Sequence, residues 1–182
     1  MKGALITLGV LASVLVIVAS MCIGSYNTAI RHETGIKAQY EDMENILGNY
    51  SNKVQEASGV SVLAIEGLKE VMTAALQGRY GENGSQATMQ WIKENYPGQV
   101  DPGLYAKVQQ IIESGRNEFQ NSQTMLVDKK QAYQNDLGVF PGGFVMKMFG
   151  FPRIDFDKYK IITSGYAKDA FKTGVSEPVK LK

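Results

Sequence analysis

Cysteine and histidine are almost absent from this chain, which holds one of each, Cys22 and His32, in 182 residues. One thiol leaves no pair to close into a disulfide. Because Cys22 falls inside an apolar run, the polar remainder has neither a thiol ligand nor a cysteine nucleophile. One imidazole leaves no second histidine for a zinc site, and no nucleophile neighbours it, which points to a solvent-facing or interfacial residue. Strong charge of either sign is also missing: 19 Lys and Arg oppose 18 Asp and Glu, so no field favours nucleic acid as a partner. Neither a phosphate loop of the GxxxxGK type nor a GxSxG elbow occurs. Glu66 with Glu70, and Glu41 with Glu44, stand at helical spacing but lack the Glu-x-x-His pairs of a di-iron bundle, and they read as surface charges. No catalytic, cofactor-binding or metal-ligating residue is assigned on this basis, and a non-enzymatic protein is expected.

What the chain does have is a long apolar stretch, Ala4 to Ile23 (ALITLGVLASVLVIVASMCI), free of charge. At about 1.5 Å per residue such a helix is as long as a bilayer's hydrocarbon core is thick, and its few hydroxyls can bond back to the helix. Residues 1–24 are therefore expected to be a transmembrane anchor, with the bilayer as partner through residues 4–23. A cleaved export signal is the competing reading, since Lys2 precedes the run and Val18-Ala19-Ser20 are small. A signal core typically spans about 7–15 residues, however, and this run is longer. Ala19-Ser20-Met21-Cys22 fits a lipidation signal poorly, because Met21 occupies the place of a small residue. Lys2 on one flank is balanced by Arg31 and Lys37 on the other, so the basic residues do not set the topology. Gly9 and Ser13, and Ser20 and Gly24, share a helix face, as small residues do in many membrane helices.

Beyond Gly24 about 155 residues remain, enough for one domain with its own core. An apolar seam, Ile36, Tyr40, Met43, Leu47, Tyr50, Val54 and Ala57, advances by alternating steps of four and three, the pattern of a long helix packed lengthwise on others. Ser61, Ala64, Leu68, Val71 and Ala75 extend it, with a break expected near Ser58-Gly59 and a stop near Gly78. Gly78 to Gly84 reads as a turn, with Ser85 as N-cap of a short helix that Pro97-Gly98 ends. Asp101-Pro102 opens a second long helix carrying Leu104, Val108, Ile111, Ile112, Phe119, Ser122, Leu126, Tyr133 and Leu137 and closing at Gly138. Gln109, Gln110, Glu113, Arg116, Asn117, Gln120, Asp128 and Lys129 read as its solvated face. Phe144 to Phe151 (FVMKMFGF) is expected to make one or two helical turns. Ile154 to Asp157 reads as extended chain with Asp155 and Asp157 on one side, a poor metal site without a third ligand. Residues 163–182 show no sustained period and read as a flexible tail.

Several short pieces occur in a set order. Tyr26-Asn27 follows the apolar run, then come Tyr40, Met43 and Leu47, Glu94-Asn95-Tyr96-Pro97 (acidic-x-Tyr-Pro), Tyr133, Phe140-Pro141 and Phe149-Gly150-Phe151. Together they resemble the LemA family of bacterial membrane-anchored helical proteins over about residues 4–151. Asn49 to Ala57 departs from the family's Arg-Arg-x-Asp-Leu-Ile-Pro-Asn-Leu run, Gln123-Thr124 replaces paired arginines, and Gln134 replaces an asparagine. The resemblance implies an all-α protein of a bacterial inner membrane: a single-pass helix, then an elongated antiparallel bundle of about four helices over residues 25–162. The expected role is a scaffold or docking protein, for an unidentified protein or for itself, with an accessory or regulatory subunit of a membrane protease or other enzyme complex as the alternative. Phe144, Met146, Lys147, Met148, Phe149 and Phe151 form the candidate interaction surface, since a loop does not need so much Met and Phe.

Overall fold

The apolar run and the first seam form one unbroken helix. A computed structural model of the chain describes residues 2–60, 65–80, 83–99, 103–162 and 172, and in it α1 spans Lys2–Ser58. It is followed by α2 (Ile65–Leu76), α3 (Gly84–Asn95), a 3-10 turn at Pro97–Gln99, α4 (Leu104–Gly138) and α5 (Gly142–Met148). The fold is thus all-α, with no strand among the described residues. The expected tail, residues 163–182, lies outside the described residues apart from Lys172, as do Ser61, Ala64, Asp101 and Pro102.

The helix ends follow glycine where the sequence places it. Gly59 adopts φ 64° directly after α1, a left-handed conformation that only glycine takes at little cost. After α2, Gly78 has φ 73°, its N–H bonds Ala75 O, and the Arg79 N–H bonds Ala74 O. This is the paired closure of a Schellman motif, satisfying carbonyls the helix leaves open. Ser85 is not the cap of α3. Asn83 precedes the helix, and Ser85 lies buried in its first turn.

Two compact units form, one from Met1–Tyr40 with Met125–Lys160, the other from Glu41–Thr124 with Ile161–Lys182. In the first, α1 and α4 run antiparallel around Ala29, Ile36, Leu126, Tyr133 and Leu137, with Val145, Met146 and Phe151 closing the core. In the second, Met43, Ile46, Tyr50 and Val54 of α1 and Val108, Ile112 and Phe119 of α4 join Leu68, Met72 and Leu76 of α2 and Ile92 of α3 in a buried core. Each large side chain removed from water contributes about 1.5–3 kcal/mol, so packing, rather than the propensity of these glycine-bearing helices, holds the units together. Gly115 and Gly67 mark close approaches in the second unit. A Cβ on Gly115 would stand 2.7 Å from Leu76 Cδ2 and from the Tyr50 ring, and one on Gly67 would stand 2.8 Å from Trp91 Cζ2.

The α1 seam is displaced by one residue in places. Gln39, Ile46 and Ser58 are buried, while the expected Tyr40, Leu47 and Ala57 are only half-buried beside them. Arg116 also leaves the expected solvated face: it is half-buried and donates from Nη2 to Ala75 O at 3.2 Å.

Candidate functional site

Along α1 the environment changes at one point. From Leu5 to Val18 every large apolar side chain is exposed, from 51% at Val14 to 69% at Leu15, and Ile23 is 63% exposed. The polar groups of this stretch turn inward on the helix, with Thr7 Oγ1 donating to Gly3 O and Ser13 Oγ to Gly9 O. Such internal satisfaction suits an environment without water. At Ser25 and Ala29 burial sets in, and from there the helix carries a packed seam. This is one helix long and apolar enough to cross a membrane, lying near the N-terminus.

Next to that transition stands the segment expected to form an interaction surface. Its helix, α5, ends in a second Schellman closure: Gly150 has φ 78°, Gly150 N–H bonds Lys147 O and Phe151 N–H bonds Met146 O. The closure turns Phe151 inward, and the six candidate residues divide. Met146 (3%) and Phe151 (4%) are buried, whereas Phe144 (64%), Met148 (62%), Phe149 (40%) and Lys147 are exposed. Tyr26 of α1 meets Phe149 and Phe151 edge-on, with centroids 5.6 and 5.5 Å apart, and the Arg153 guanidinium lies 4.4 Å from the Phe151 ring centroid. Val139 (57%) and Phe140 (82%), in the turn before α5, add to the exposed apolar group.

Deeper in the same unit is a polar node. Glu33 Oε1 accepts the Tyr133 hydroxyl at 2.9 Å, the Arg153 N–H at 2.6 Å and the Ile154 N–H at 3.4 Å. His32 stacks on Tyr133 and its Nε2 lies 2.7 Å from Asp136 Oδ2. Burial first, and then the bond to the Glu33 carboxylate, push the Tyr133 hydroxyl well above the usual tyrosine range. The second unit has a counterpart. Tyr50 donates to Glu118 Oε2 at 2.6 Å, and that bond, with burial behind it, pushes Tyr50 up to about 12. Glu33, Arg153 and Glu118 carry no local sequence signal, because their partners stand 68 to 121 positions away. One hint was available for Glu33: it falls three residues before Ile36, on the seam itself.

A polar cavity of about 440 Å³ in the second unit is lined by Asn83, Ser85, Gln86, Tyr105, Gln109, Ile112, Glu113 and Arg116. No group of three or more His, Cys, Asp or Glu is placed to hold a metal among the described residues. Residues 154–159 are bent and turned rather than extended: Asp155 Oδ1 accepts the Asp157 N–H at 2.9 Å, so the two carboxylates do not line one side of a strand. Glu41, Glu44, Glu66 and Glu70 are exposed.

Fold and site together define an all-α protein in which one exposed apolar helix continues without interruption into a packed helical domain. Set against known protein families, curated proteins and solved structures, the chain matches none.

Proposed function

We propose that this chain is a single-pass membrane protein of LemA type whose helical domain performs no chemistry of its own and serves as a scaffold or docking surface beside the bilayer. The observation that carries the reading is the contrast within α1, whose large apolar side chains are exposed from Leu5 to Val18 and again at Ile23, and whose seam is buried from Ser25 onward. A row of eleven exposed large apolar residues is costly in water and suits hydrocarbon. The LemA resemblance gains support from the meeting of its separate pieces, since Tyr26 lies against Phe149 and Phe151 although they stand more than 120 positions apart. For a partner the accessible features are the apolar group around α5 and the polar surfaces of the second unit.

The test is protease protection on right-side-out and inverted membrane vesicles, with a tag at Lys182 and the mass of the mature chain as readouts. A chain that begins at Met1, resists extraction at alkaline pH and loses its tag from one side only supports the anchor. A chain shortened near Ser20 and free in solution overturns it. Photocrosslinkers at exposed positions of α4 test the docking role: a discrete adduct with one protein or with a second copy supports it, and none at any position overturns it.

A further inference from the structure

We infer that the α4–α5 turn and α5 form a second membrane contact, in which Phe140, Phe144 and Met148 enter the headgroup layer of the bilayer that α1 crosses. This rests on the anchor reading and names the bilayer as the occupant of the exposed apolar group.

Within the first unit the direction of α4 is fixed by its partners on α1. Lys129 Nζ reaches the Cα environment of Gly35, Asp136 pairs with His32, and Gly142 comes against Ser25. Each step toward the C-terminus of α4 is therefore a step toward the apolar end of α1, and the turn at Val139 and Phe140 is the part of the chain that arrives there. The distances agree with a place in the headgroups. Residues 4–23 span about 30 Å as a helix, the thickness of the hydrocarbon core. Ser25 and Tyr26, on which α5 packs, follow Ile23 by about 3–5 Å of helix rise. The headgroup layer is about 5–8 Å deep on each side.

The chemistry of the segment suits that layer. Its buried members, Val145, Met146 and Phe151, fill the core, while Val139, Phe140, Phe144 and Met148 remain exposed with no described residue covering them. Lys147 is exposed beside them, a cation on an interfacial helix whose charge matches anionic headgroups. Tyr26, an aromatic with a polar tip, stands at the same level, where such residues are enriched in membrane proteins. The nearness of this group to the apolar stretch of α1, with Gly142 against Ser25 and Phe149 against Tyr26, favours lipid over a separate protein partner.

The experiment uses the full chain in vesicles of phosphatidylcholine and phosphatidylglycerol. The lone cysteine makes labelling simple: in a Cys22→Ala background, a nitroxide is attached after Phe140→Cys, Phe144→Cys, Val127→Cys or Leu15→Cys. Collision with oxygen, which concentrates in lipid, is compared with collision with a water-soluble nickel chelate. Phe140 and Phe144 are mostly exposed, so their replacement leaves the core intact, and two sites guard against one local distortion. The expected result is an oxygen-to-nickel ratio several-fold higher at positions 140 and 144 than at 127, with position 15 higher still. A ratio at 140 and 144 equal to that at 127, with 15 still in lipid, overturns the inference and leaves the anchor standing. Labels at 140 and 144 shielded from both agents indicate a protein contact and also overturn it. Nickel access at position 15 removes the anchor reading itself.

Discussion

Each unit ties α1 to α4 through a tyrosine hydroxyl given to a glutamate, and the two ties run in opposite senses. In the first unit α1 supplies the acceptor Glu33 and α4 the donor Tyr133. In the second, α1 supplies Tyr50 and α4 supplies Glu118. They also differ in reach. Glu33 Oε1 gathers a third segment through the Arg153 and Ile154 N–H groups, and its tyrosine is fully buried. Glu118 is exposed, and the Tyr50 ring carries Lys53 Nζ 4.0 Å from its centroid. The first tie is a node that fixes the chain after α5 as well as two helices, and the second is a clasp at a surface. A hydrogen bond to a charged acceptor is worth more where water cannot replace it, so the two should respond unequally to mutation.

The largest effect is expected from Glu33→Ala, which strips the acceptor from three donors and should cost about 3 kcal/mol. Denaturant unfolding of the full chain in detergent gives the total, and hydrogen exchange should show the loosening in residues 125–160. A cost no greater than that of Tyr50→Phe would erase the distinction between node and clasp. Gly115→Ala should cost about 2 kcal/mol by forcing a methyl against Leu76 and Tyr50, whereas Gly48→Ala, with nothing within 4 Å of its Cβ, should stabilise by up to about 1 kcal/mol. Equal midpoints for the two alanines would show that the second unit is not tightly packed at Gly115.

Tyr50→Phe should cost about 1 kcal/mol at neutral pH, since the Glu118 it releases is already solvated. Its pH signature is sharper than its size. Because the folded state holds Tyr50 up to about 12 against an ordinary 10.0, the contribution is fully present below pH 10 and lost as pH rises through about 12. Unfolding midpoints of the parent protein should fall across that window, and Tyr50→Phe should flatten the fall. Tyr133→Phe should flatten it across the same window and beyond, because the Tyr133 hydroxyl is held higher still. The smallest change is Asp136→Asn, about 0.5 kcal/mol, because the His32–Asp136 pair is partly open to solvent, with side chains 23% and 46% exposed. A cost above that of Tyr50→Phe would bring His32 into the node.

How far each feature was legible follows from where its signal lies. On α4 the seam is apolar but for Ser122, and every residue expected there is buried except Ile111, which is half-buried. Gly115 completes the row without an apolar side chain to announce it. On α1 the seam includes polar members. Ser51 and Ser58 return their hydroxyls to Leu47 O and Val54 O and so enter the core satisfied, where a hydrophobic pattern cannot register them. Ile46 and Leu47 compete for one place by pattern, and the packing selects Ile46. The cap of α3 was misplaced because Asn83 and Ser85 are both capping residues, two positions apart. The six-residue candidate surface was legible as composition only, and the backbone closure at Gly150 decides which of its members face inward.

The continuity of α1 has a mechanical consequence. No turn, proline or left-handed residue interrupts it between Lys2 and Tyr40, so the first unit contains no joint at the point where the exposed apolar stretch ends. Held in a bilayer, such a stretch adjusts to membrane thickness by tilting. Without a hinge the tilt is carried whole into the packed part of that unit, and α5 with its neighbouring turn would be pressed toward the lipid or lifted from it. Bilayer thickness would then be read as an angle.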